Sequence, residues 1–359
     1  MNEIFDFIDL LSINKLTESK FYILLEKFKS PEAIKKAGVR DLSSIVGEEI
    51  AQKIHLFKKD DKIKRKCDLV EKLNIEVLPY YSPTYPGWLK EIDHFPPVLF
   101  VRGQIKKEDE LSLGVIGTRG ATVYGKGIAE TFAGDFAGAG VTVVSGMARG
   151  IDAAAHKGAL KNKGRTIAVF GCGIDICYPP ENKKLMNEII ENGAVISEFN
   201  IGTPPLAQNF PKRNRIVSGL SKAIVAIEAK EKSGVMNTVN WALNQNKDDY
   251  AIPGNIYSKA SRGTNLLIKQ GAIPVTSAGE ILELAGFKYT KREKEIKQVV
   301  LTEEENVVWE KLSFEPIYLD VLSEKLNQPT GSILNVLLTL ELKGLIRQLP
   351  GMKFVKNFE

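Results

Sequence analysis

The chain has few of the residues that build metal sites and disulfide frameworks. Its 359 residues include three cysteines (Cys67, Cys172, Cys177) and three histidines (His55, His94, His156). So small and odd a number of cysteines excludes a stapled fold and points to a reducing compartment. The histidines are scattered, and Cys172 and Cys177 have none beside them, so no zinc-ligand spacing is present. Long apolar runs are missing as well. No window approaches the roughly 18 uncharged apolar residues of a membrane span, and Met1 leads into Asn2-Glu3 without a basic segment. Neither a span nor a secretory leader is expected, and a cytoplasmic location follows. Gly171-Cys172-Gly173 runs on into Ile174-Asp175-Ile176 and never supplies the third glycine of a dinucleotide fingerprint. No cofactor and no metal are expected.

What is present is a globular composition, 43% hydrophobic and 26% charged, with length enough for two or three domains. The net charge of +5 fits a polyanion-binding surface but does not by itself decide for one. Residues 1–70 read as all-helical, with Leu16, Phe21, Leu24, Leu25 and Phe28 at near-helical spacing and Ser30-Pro31 as punctuation. Val46 to Ala51 resembles a helix-hairpin-helix or SAM-like module, yet Glu48 and Glu49 sit where phosphate would approach. Plain helical packing or protein contact is the expectation there. Tyr80 to Pro86, rich in proline, reads as an extended lead-in to the next domain.

Residues 71–288 carry short apolar runs separated by helix-length segments. The runs are Leu113–Ile116, Val141–Val144, Ile167–Phe170, Ala194–Ser197, Ala223–Ile227, Tyr250–Ile252 and Ile273–Val275. This alternation predicts an α/β, doubly wound, mostly parallel Rossmann-like sheet covered on both faces. A charged linker is expected at 289–300. Beyond it, 301–359 reads as three helices and a hairpin about Pro350-Gly351, a winged-helix domain. Its expected reading helix, Pro329–Lys343, exposes Ser332, Asn335, Thr339 and Glu341 but no Arg or Lys before Lys343. Major-groove reading favours Arg, Lys, Asn or Gln on that face, so protein contact or loose backbone contact is expected instead.

Ligands of open α/β sheets lie beyond the carboxyl ends of the strands. There the sequence places Gly117-Thr118-Arg119, Ser145-Gly146, Gly171-Cys172-Gly173, Ser233-Gly234 and Pro253-Gly254-Asn255. Glycines let backbone amides approach an anion, and Arg119 and Arg149 add charge, so the set reads as a phosphate-binding rim. The connection Thr203 to Leu220 is sharper. No acidic residue falls between Glu198 and Glu228, whereas Lys212, Arg213, Arg215 and Lys222 do. Phe210 precedes that cluster. A ring beside cations is what an unpaired strand requires, with phosphates on the cations and a base stacked on the ring. A core position for Phe210 and a solvated cationic helix face fit the composition equally well. Ser145, Asp152 and His156 suggest a catalytic triad only superficially, because Asp152 and His156 share one helix and Ser145 lacks the nucleophile elbow.

Gly117-Thr-Arg119, Ser145 to Asp152 with Ala155-His156, Asn209 to Ile216 with Ser218-Gly-Leu220, and Ile252-Pro-Gly254 with Gly263 to Ile268 resemble, in order and spacing, the DNA-processing protein A (DprA/Smf) family. The resemblance covers roughly 75–287. It implies a non-enzymatic protein that binds single-stranded DNA without sequence preference, protects incoming DNA and assists loading of the RecA recombinase in natural transformation. It also implies a homodimer formed through the Rossmann-like domain. By position, Arg119, Phe210, Lys212, Arg213 and Arg215 would contact the strand, and Ser145, Gly146, Ser233 and Gly234 would offer backbone or hydroxyl contacts. The alternative is a nucleotide-binding or nucleotide-cleaving enzyme similar to the phosphoribohydrolases. Against it, the segment Lys232 to Asn240 carries an amide, Asn240, where those enzymes have a catalytic glutamate.

Overall fold

The computed structural model describes residues 2–56, 61–287 and 300–357. Apart from Val300, the expected linker 289–300 lies outside the described residues. Six helices come first: Asn2–Leu11, Glu18–Phe28, Pro31–Lys36, Val39–Val46, Glu48–Leu56 and Asp61–Lys72. Local chemistry sets several of their ends. Thr17 accepts from Lys20 N, and Ser30 accepts from Ala33 N with Pro31 at the first helical position. Their core of Phe7, Phe21, Leu24, Leu25, Ile34, Leu42, Ile50 and Ile54 also takes in Val98 of the sheet. Ile8, Ile63 and Val70 pack in turn with Phe100 and Phe170. The helical front and the sheet therefore share hydrophobic contacts.

The sheet has nine strands: β1 Glu76–Pro79, β2 Val98–Gly103, β3 Ser112–Ile116, β4 Thr142–Ser145, β5 Thr166–Val169, β6 Ala194–Ser197, β7 Ala223–Ala226, β8 Asp248–Ala251 and β9 Ile273–Pro274. Their order is β1-β2-β6-β5-β4-β3-β7-β8-β9. β3 to β9 pair in parallel, and β2 joins β6 antiparallel, as β1 joins β2. The seven apolar runs form seven strands, while the segments Glu76–Pro79 and Val98–Gly103 extend the sheet by an antiparallel edge that the alternation did not mark. β3 to β7 are buried throughout, which is why they read as unbroken apolar runs rather than alternating ones. Helices Val123–Gly138, Ile151–Lys161 and Ala278–Leu284 cover one face; Asn209–Leu220, Gly234–Asn244 and Arg262–Lys269 cover the other. Gly158 lets two helices on the first face touch, since a Cβ there would lie 2.1 Å from Glu130 O.

The chain leaves β3 toward β4 on one side and, after β6, returns to β7 on the other. That reversal opens a crevice at the carboxyl ends of β3, β4 and β7, the place such sheets bind ligands. The C-terminal unit is a winged helix. Helices Glu303–Lys311, Leu319–Leu326 and Thr330–Leu342 pack Val308, Leu322, Ile333, Leu337 and Leu340 against Phe354. Its three-stranded sheet adds Ile317–Tyr318 to the expected hairpin of Ile346–Leu349 and Lys353–Lys356. Ser332, Asn335 and Thr339 are exposed on its third helix, as read from sequence, whereas Glu341, expected to be exposed, is half-buried because it accepts from Gln348 N of the hairpin at 2.8 Å. Among the described residues no helix is long and apolar enough to cross a membrane.

Candidate nucleic-acid interface

At the crevice lies a cleft of about 500 Å³ lined by Arg119, Gly146, Phe210, Arg213, Ser233 and Gly234, with Tyr178 and Asn214 beside them. The loop after β3 supplies Arg119, that after β4 Gly146, and that after β7 Ser233-Gly234. Glu228 fixes the first of these loops to the third, accepting from Thr122 N at 2.9 Å and from Thr122 Oγ1 at 2.6 Å.

The basic connection is largely a helix, Asn209–Leu220, and not a loop. A helix turns about 100° per residue, so neighbouring side chains face different ways. Phe210, Arg213, Asn214 and Val217 stand three or four apart and form one stripe on the cleft. The ring of Phe210 is half-buried and rests against Gly171, where a Cβ would come within 2.9 Å of it. Tyr178 lies 5.7 Å from it, centroid to centroid, and the exposed guanidinium of Arg119 stands 5.1 Å over it. Phe210 is therefore a wall of the cleft and not a sealed core residue.

Arg213 forms the floor, 4% exposed. Its Nη1 donates to Gly146 O at 2.6 Å and to Val169 O, and its Nε has no partner among the described residues. Burial pushes its pKa down to about 10, with the Asp152 carboxylate opposing the shift. Glycine at 146 leaves room for it there, since a Cβ would lie 2.5 Å from its Nη atoms. A buried cation held by carbonyls, with Asp152 near but not hydrogen-bonded to it, is stabilised by an arriving anion.

The other expected contacts lie elsewhere. Arg215 is 2% exposed in the core, its Nη1 and Nη2 donating to Glu198 Oε1 and Oε2 at 2.7 and 2.6 Å and its Nε to His94 O at 2.9 Å. No guanidinium face remains for a phosphate, so its assignment as a strand contact is corrected to that of a buried ion pair. Lys212 is exposed but paired with Glu18 of the helical front and stacked 5.8 Å over Phe199, outside the cleft. Ser145 is buried and donates to Val115 O at 2.7 Å, which commits its hydroxyl. His156 bonds Thr166 Oγ1 at 2.6 Å, so Ser145, Asp152 and His156 form no catalytic relay. Ser233 Oγ, by contrast, is buried at the cleft without a partner among the described residues. Tyr178 escaped the sequence reading because nothing local to Cys177-Tyr178-Pro179 marks it; it reaches Phe210 only through the fold. Among the described residues no group of three or more His, Cys, Asp or Glu is placed to hold a metal ion.

A family model described as DNA recombination-mediator protein A matches residues 76–286. The chain belongs to that family. A second model, the DprA winged helix domain, matches 294–352. The chain is 38% identical over 292 residues to Protein Smf of Escherichia coli (strain K12), covering 79% of this chain and 78% of that one. Among solved structures, DNA processing protein A of Streptococcus pneumoniae superposes with a TM-score of 0.70 at 31% identity, over 80% of this chain and 99% of that one. DNA processing protein A of Helicobacter pylori, whose structure gave insights into its single-stranded DNA binding mode, superposes with a TM-score of 0.54 at 30% identity, over 59% of this chain and 95% of that one.

Proposed function

We propose that the cleft binds an unpaired DNA strand without reading its sequence, one base stacking on Phe210 and phosphates lying against Arg119 and over Arg213. The observation that carries this is the pairing of a half-buried ring and an exposed guanidinium 5.1 Å apart above a buried cation held by the Gly146 carbonyl. Stacking tolerates every base and phosphate contact ignores sequence, so the site suits any strand. The single-stranded DNA binding of the Helicobacter pylori relative supports the same reading. Protection of incoming DNA, assistance to the RecA recombinase during transformation, a cytoplasmic location and a homodimer through the sheet domain complete the proposal and rest on family membership. The role is binding rather than catalysis: Asn240, at the position of the phosphoribohydrolase glutamate, is an exposed amide, and Asp152 accepts from Ala148 N at 3.2 Å.

Titration with labelled single- and double-stranded oligonucleotides at two salt concentrations tests this. Phe210→Ala should weaken single-strand binding by about 1–3 kcal/mol with an unchanged salt slope. Arg119→Gln should flatten that slope by about 0.7 log–log units, the share of one phosphate. Equal preference for duplex, or no loss in either variant, refutes the site.

A further inference from the structure

The cleft is continuous with a second exposed surface that its lining does not include. β8 pairs with β7 one strand spacing away, and the loops that follow them are joined. Ala229 N donates to Ala260 O, and Gly263 N donates to Ala229 O, both at 2.8 Å. A Cβ on Gly263 would lie 2.6 Å from Lys230 O, so the two loops touch along this line. The loop after β8 carries Ile256 and Tyr257, 71% and 85% exposed, and is tied by hydrogen bonds at its base. Asn255 Oδ1 accepts from Tyr257 N at 2.9 Å, while Asn265 Oδ1 accepts from Gly254 N at 3.1 Å and its Nδ2 donates to Gly254 O at 3.0 Å.

Lys230, Lys232, Lys259 and Arg262 are all exposed around this loop, and among the described residues none of them has a carboxylate partner. From Tyr250 to Gly279 the sequence holds no acidic residue, the second such stretch in the chain; Glu231 on the neighbouring loop is the one carboxylate interleaved with these cations. A fixed, outward tyrosine among unpaired cations has the composition of a stacking platform. Apolar contact with protein would not call for four uncompensated charges around it.

We infer that this rim is a second station for the same strand, on which Tyr257 stacks a base while Lys230, Lys232, Lys259 and Arg262 hold flanking phosphates. The strand leaves the cleft past Ser233-Gly234 and crosses onto the loop after β8. The inference rests on occupation of the cleft by a strand and adds its direction and footprint.

The test uses the full chain and a ladder of oligothymidylates, from lengths that fill the cleft alone to lengths that reach the rim. Tyr257→Ala should weaken the long oligonucleotides by roughly five- to hundredfold and leave the shortest unchanged, and Tyr257→Trp should retain wild-type affinity. Lys259→Gln with Arg262→Gln should flatten the salt slope for long oligonucleotides alone, by about 1.4 log–log units at 0.7 per phosphate. Unchanged affinity for long strands in Tyr257→Ala, with Phe210→Ala weakening every length, refutes the second station and spares the cleft. Equal losses at all lengths refute it too, by merging Tyr257 into the first site. A lower sedimentation mass without lost affinity makes the patch a contact between copies and also overturns the proposal. If the wild type binds no length, the cleft reading fails and this one falls with it.

Discussion

Replacing Arg215 with methionine should destabilise the protein by about 3–5 kcal/mol while leaving strand affinity per folded molecule unchanged. The guanidinium makes two bonds to Glu198, one to His94 O and one of 3.1 Å to Lys212 O, all in a site 2% exposed. Methionine fills much of the volume but strands a buried carboxylate and removes the donor to His94 O. Burial already raises the pKa of Glu198 against the pull of Arg215. Without that cation the native carboxyl holds its proton at pH values where the unfolded chain has released it. A raised carboxyl pKa favours the native state below the ordinary carboxylate range, and that advantage is lost as pH rises through the raised value. The deficit of Arg215→Met should therefore be smallest near pH 5 and grow toward pH 8. Adding Glu198→Leu removes the stranded charge and should recover much of the loss. Urea unfolding at both pH values, compared through midpoints at constant slope, measures all of this. A deficit within about 0.5 kcal/mol, as for an ordinary surface change, together with a flattened salt slope of DNA binding, would show Arg215 to be a strand contact and refute the reasoning.

Two further outcomes concern the surroundings of the cleft. Lys212 lies outside the cleft and is paired with Glu18, so Glu18→Gln should leave single-strand affinity within about twofold of wild type and the salt slope unchanged; a steeper slope in the same titration would show that the released Lys212 reaches the strand. His156 donates through Nδ1 to Thr166 Oγ1, whose own proton goes to Val143 O, and its Nε2 is unpaired among the described residues. Burial first, then Arg213, hold its pKa down to about 3. The native ring stays neutral while the unfolded chain takes a proton below about pH 6.5, so stability present above that pH is lost as pH falls toward 3. His156→Gln should flatten the thermal-unfolding profile between pH 6.5 and 4, and parallel profiles for the two proteins would contradict this.

The sequence already carries the doubly wound sheet, because strands buried on both faces must be written as short unbroken apolar runs, and helices must separate parallel neighbours. It also determined where the cleft lies, since glycines and Arg119 could be located at strand ends from those runs alone. The third helix and hairpin of the winged unit were legible from apolar spacing and Pro350-Gly351 for the same reason. The antiparallel edge was not, since β1 and β2 are separated by a long irregular segment that lacks helical or hairpin spacing. Which cations remain available depends on the fold. Lys212, Arg213 and Arg215 are near neighbours in sequence, but the turn of the helix sends one to solvent, one to the cleft floor and one to the core. The acid-free interval after Glu198 looked uncompensated along the chain. In space Glu198 itself takes Arg215, and Glu18, nearly two hundred residues earlier, takes Lys212. Charge balance is set by distance through the fold, which a linear pattern does not contain.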